Sequence, residues 1–79
     1  MKGAFEEMLG KRITGIQVRE DEDFHSSQIF LAFDDNTYYE IYTDARINGI
    51  RRNYSGNMQT IRNLPSGNSE IVVDVEMTE

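Results

Sequence analysis

The chain of 79 residues has no cysteine, no tryptophan, one proline and one histidine. Without cysteine there is no disulfide framework, no thiolate metal site and no thiol nucleophile, and the lack fits a reducing compartment. With His25 as the lone imidazole, a zinc site would need carboxylates to complete it. No apolar run approaches the length that spans a bilayer. The opening "MKGAFEEMLGK" carries acids where a secretion signal needs an apolar stretch. A cytoplasmic protein without a membrane segment is expected.

Excess positive charge is also missing. The net charge is −6, which disfavours general binding to nucleic acid or anionic membranes. The distribution is uneven. Residues 1–44 hold ten acids and four bases, residues 45–63 hold Arg46, Arg51, Arg52 and Arg62 with no acid, and residues 64–79 hold four acids and no base. A basic middle lies between acidic flanks.

What is present is an ordinary globular composition, 38% hydrophobic and 28% charged, with four Phe and four Tyr. The length allows a single domain, 1–79, with one small core. Phe5, Met8 and Leu9 recur at helical spacing, and Gly10 suits a left-handed cap, so a short N-terminal helix is predicted. In "KRITGIQVRE", Ile16 and Val18 alternate with Gln17 and Arg19 as in a half-buried strand. Ile13 is out of phase, which predicts a bulge near Thr14-Gly15.

"QIFLAFDDNTYYEIYTD" reads as a hairpin. A two-residue loop would set Leu31 against Glu40 and mix a charge into an apolar face. A three-residue loop, Asp34-Asp35-Asn36, sets Leu31 against Tyr39 and Ile29 against Ile41. Ile29, Leu31, Phe33, Tyr39 and Ile41 then share one face, and Asn36 tolerates the left-handed conformation the loop needs last. The opposite face carries Phe30, Ala32, Tyr38, Glu40 and Tyr42, more aromatic surface than water requires.

Residues 44–56 are hard to read. Beyond them Met58, Ile61 and Leu64 predict a short helix, capped by Ser55 or Asn57 and ended by Pro65-Ser66-Gly67. In "SEIVVDVEMTE", Ile71, Val73, Val75 and Met77 alternate with Val72, Asp74 and Glu76, a strand with one wet face. The order predicts an α+β domain: a small antiparallel sheet of four to five strands, able to curl towards a barrel, with a short N-terminal helix and a short helix before the last strand. "LGKRITGI" and "FDDNTYYEIY" resemble segments of small prokaryotic β-rich proteins of unknown function. The resemblance rests on structural residues and implies no activity.

Candidate chemistry is thin. In "REDEDFHSSQ" the acids Glu20 to Asp23 are adjacent, so their side chains diverge, and the spacing of a calcium loop is missing. His25 with Asp23 and Ser26 can be assembled into a triad only on paper, because a triad is a matter of geometry. Asp34-Asp35-Asn36 are turn residues serving a turn. No catalytic residue, metal site or cofactor site is assigned.

The expected role is therefore a non-enzymatic interaction or regulatory domain that forms a homodimer through the aromatic face of the hairpin, at Phe30, Tyr38 and Tyr42, because a small domain with little core gains by burying more area. A separate protein partner is compatible with this. The alternatives are an anion or nucleic-acid contact through Arg46, Arg51, Arg52, Tyr54 and Arg62, or an acidic surface of Glu20 to Asp23, Asp34, Asp35, Glu40 and Asp44 that imitates nucleic-acid charge. Pairing of the arginines with nearby acids is the plain account of the first, and solubility is the plain account of the second.

Overall fold

The computed structural model describes residues 6–21, 26–43, 47–50 and 54–78. Six strands and one helix follow in order: β1 (Ile13–Asp21), β2 (Ser26–Phe33), β3 (Thr37–Thr43), β4 (Ile47–Ile50), β5 (Tyr54–Ser55), α1 (Met58–Arg62) and β6 (Glu70–Glu76). Every pairing is antiparallel. The sheet runs β4-β3-β2-β1-β6, and the two-residue β5 also pairs with β3. The chain is a slab of 34 × 30 × 16 Å.

The hairpin has the register that its loop and its apolar face require. Leu31 pairs with Tyr39 and Ile29 with Ile41. Asn36 ends the loop at φ 66°, the conformation Asn tolerates better than other side chains. The Asp35 carboxylate accepts hydrogen bonds from the Thr37 amide and hydroxyl and pairs with Lys11, which closes the turn. The expected bulge is also present: β1 slips register against β2 between Ile13 and Gly15. Within 44–56, β4 and β5 are strands, and residues 44–46 and 51–53 lie outside the described residues.

Two features depart from expectation. Among the described residues the N-terminal helix is not seen as an element, Glu6 alone being helical. Residues 7–10 are turns, with Leu9 N–H donating to the Glu6 carbonyl and Lys11 N–H to that of Met8. A stretch this short has no helical stability of its own, and Leu9 stays 78% exposed. Gly10 does take the left-handed conformation, at φ 79°. The described sheet also does not close into a barrel. Closure needs the first and last strands of the sheet to meet. Here α1 carries the chain across one face and sets β6 beside β1, at the far edge from β4.

The helix forms as its sequence requires. The Asn57 side chain accepts from the Gln59 and Thr60 amides, satisfying two of the donors that a helix start leaves open. Met58 and Ile61 point into the sheet and pack with Phe30, Ala32 and Tyr38, with Leu64 at the margin. Gly15 lets α1 come close. A Cβ there would stand 2.5 Å from the Met58 sulfur.

A buried cation fixes the other end of α1. Arg19 is 2% exposed. Its Nε donates to Gln17 Oε1 at 2.6 Å, its Nη2 to the Ile61 carbonyl at 2.8 Å, and its Nη1 to the Leu64 and Pro65 carbonyls at 3.2 and 3.1 Å. The last carbonyls of a helix have no internal partner, and a cation there also suits the helix dipole. The guanidinium lies over the Phe30 ring, 5.1 Å from its centroid. Gln17 passes the network on, donating to Asp74 on β6 at 2.8 Å.

Arg19→Met is expected to cost about 3 kcal/mol or more, because it leaves several buried acceptors unpaired. Arg19→Lys is expected to recover only part of that loss, since an ammonium lacks the planar fork. Gly15→Ala is expected to cost about 1–3 kcal/mol through overpacking against Met58. Urea unfolding of the three variants checks all these values; a Gly15→Ala protein of unchanged midpoint would show that α1 is free to shift.

Candidate functional site

Pairing assigns each side chain to a face. On one face lie Gly15, Gln17 and Arg19 of β1, Phe30 and Ala32 of β2, Tyr38 and Glu40 of β3, and Asp74 of β6. All of these except Asp74 are buried, because α1 covers them. On the other face, Ile16 pairs with Leu31 and Val75, Val18 with Ile29 and Val73, and Ile29 with Ile41. That is a continuous aliphatic surface across four strands. At one end Phe33 and Tyr39 are buried under Met8, packed edge to face with centroids 5.5 Å apart. Lys11 sits 5.2 and 5.3 Å from the two ring centroids, and the Tyr39 hydroxyl donates to Glu7 at 2.5 Å. Over the rest cover is thinner. Ile16, Val18 and Ile29 are half-buried, and Val73 and Val75 are 39% and 55% exposed. Ile13 and Met77 extend the apolar surface and, with Ile16 and Val75, line a groove of about 240 Å³.

Of the residues expected to self-associate, Phe30 and Tyr38 are 1% and 4% exposed under α1. Their rings meet at 6.3 Å, and burial, then the charge of Glu40, raises the Tyr38 hydroxyl pKa above its ordinary 10.0. Tyr42 is half-buried. This correction has a plain cause. The surplus aromatics are covered by Met58 and Ile61 of the same chain, so neither Phe30 nor Tyr38 offers a surface to a second copy.

The arginine group is not assembled by the described residues. Arg62 binds Asp74 through Nε and Nη2 and Glu76 through Nη1, at 2.6 Å for Nη2 and 2.8 Å for Nη1, the intramolecular pairing that charge alone would favour. Tyr54 lays its ring on Tyr38 at 5.1 Å and 30°. Arg46, Arg51 and Arg52 lie outside the described residues, as do Glu22, Asp23, His25 and Asp44. The acids are split as well. Asp21 pairs with Ser26 at one end of the hairpin and Asp34-Asp35 form the turn at the other, while Glu40 is buried and accepts from Gln28 at 2.9 Å. Among the described residues no cluster of three or more metal-ligating side chains occurs, and no helix is long and apolar enough to cross a membrane. No protein family, curated protein or solved structure matches the chain.

The open aliphatic face was half legible. Alternation in β6 and in the hairpin marks it, but which face α1 covers depends on the crossover from β5 to β6.

Hydrogen bonds from Arg62, then from Gln17, hold the Asp74 carboxyl below its ordinary 3.8. Its contribution to stability is complete above that value and is lost as pH falls through the lower folded one. Asp74→Asn is expected to flatten this part of the acid dependence, measured by urea midpoints between about pH 5 and pH 2.

Proposed function

We propose that the chain is a small interaction domain, not an enzyme, that self-associates through the aliphatic face of its sheet. The observation that carries this is the contrast between the two faces. One is packed under α1 and hydrogen-bonded; the other leaves Val73 and Val75 exposed beside Ile16, Val18 and Ile29. An apolar surface of that continuity is uncommon on a monomer. Its size also suits a second copy. The broad side of a slab of 34 × 30 × 16 Å has room for the roughly 800 Å² that each partner contributes to a standard interface. Two such faces stack about 10 Å apart in β-sandwiches.

Pairing through the β6 edge is the weaker arrangement. β6 carries Glu70, Asp74 and Glu76 within seven residues, and charges on an edge strand oppose strand addition.

The full chain is expected to sediment as a dimer at micromolar concentration. Val75→Asp is expected to give a monomer with an unchanged far-ultraviolet circular dichroism spectrum, because the side chain is solvent-exposed in one copy and buried between two. A wild-type protein that remains monomeric at that concentration would overturn the proposal.

A further inference from the structure

Resting on that reading, we infer that the two copies pack with their strands reversed, so that Arg12 of each meets the Glu20–Glu70 pair of the other. Glu20 and Glu70 are direct cross-strand partners on β1 and β6. Pairing places both on the side of the aliphatic face, two residues along β1 from Val18. Like charges set directly opposite each other destabilise a sheet, and among the described residues neither has a cationic partner. At the other end of the same two strands, the Met77 amide donates to the Thr14 carbonyl at 2.8 Å. There Arg12 is exposed, and among the described residues its guanidinium hydrogen-bonds to the Met77 sulfur, at 3.8 Å.

The glutamate pair and Met77, to which Arg12 bonds, lie at matching heights. The middle of the β1–β6 pair is Gln17 opposite Asp74. Glu20–Glu70 stands three residues to one side on β1, and Thr14, bonded to Met77, stands three residues to the other. Each is therefore about 10 Å from the centre. Two sheets stacked face to face by a two-fold axis have two choices. An axis along the strands either runs through the β1–β6 pair, which puts four glutamates together and two arginines together, or runs through the middle of the sheet, which sets β6 over the partner copy's opposite edge and leaves these charges apart. An axis across the strands passes near Gln17 and Asp74 and brings each Arg12 over the partner copy's glutamates. Only the second turns a destabilising pair of acids into a bidentate site for a guanidinium. The contact is made twice, as two-fold symmetry demands, and opposite charges across an interface also fix its register.

The test is a charge exchange on the full chain, read as dimer dissociation constants by sedimentation equilibrium. Arg12→Glu and the double variant Glu20→Arg/Glu70→Arg each place like charges in both contacts, so each is expected to dissociate at least about tenfold more readily than wild type. Mixed one to one, they are expected to form a heterodimer of wild-type strength, since both contacts are again opposite in sign. The neutral changes Arg12→Gln and Glu20→Gln read the same contact with less perturbation and are expected to weaken the dimer by less. Unchanged homodimers in all these variants, with Val75→Asp still monomeric, would overturn the reversed packing and leave self-association standing. A monomeric wild type would overturn both.

Discussion

A guanidinium can stay in a protein interior only where its donors find acceptors. Arg19 meets that condition with atoms from two distant parts of the chain. Gln17 lies two residues away on the same strand, the Ile61 carbonyl comes from the last turn of α1, and those of Leu64 and Pro65 from the segment just after it. The Ile61 carbonyl also accepts from the Leu64 amide, and the guanidinium adds donors to it and to the two carbonyls just past the helix. The position of α1 on the sheet follows from this, with the close approach at Gly15 holding its first turn. Because α1 delivers the chain from β5 to β6, the placement of β6 beside β1 depends on the same contact. Gln17 and Asp74 then join β6 to the network, and Arg62 on α1 closes it.

That anchoring decides which surface is interior and which is left for others. The helix takes the face with Phe30, Ala32 and Tyr38, where the polar network also lies. Among the described residues, the face with Ile16, Val18, Val73 and Val75 has the partial cover of Met8 at one end. A single sheet with one helix layer cannot bury both of its sides. In a chain of this size the uncovered side is apolar because its strands alternate, and that is the physical basis of the self-association proposed above. The charges follow the same division. Arg62 is neutralised within the helix side, while Arg12, Glu20 and Glu70 stand at the two ends of the open side.

Local features were legible wherever one residue type has few conformational options. Asn36 and the alternation of Ile29, Leu31, Tyr39 and Ile41 specified the loop and the register together. Ile13 out of phase with Ile16 announced the bulge, and of the two candidate caps, Ser55 and Asn57, the structure uses Asn57. Misreadings arose where the answer lay in another part of the chain. Phe5, Met8 and Leu9 have helical spacing, yet residues 7–10 are turns, since so short a segment takes its conformation from what it packs on. Arg19 looked like the wet residue of a half-buried strand. Its burial depends on carbonyls more than forty positions away, which no window of sequence contains.

The aromatic face of the hairpin shows where the boundary lies. By itself the sequence determined that Phe30, Tyr38 and Tyr42 share one side of the hairpin and Ile29, Leu31 and Ile41 the other, because side-chain direction alternates strictly along a strand. It likewise determined the turn and the bulge, and it narrowed the helix start to Ser55 or Asn57. Only the tertiary structure decided which side would be covered. That choice came from the crossover of α1, held by a buried guanidinium and a missing Cβ, and both are contacts between residues far apart in the chain. The aromatic side became core, and the aliphatic side stayed partly exposed.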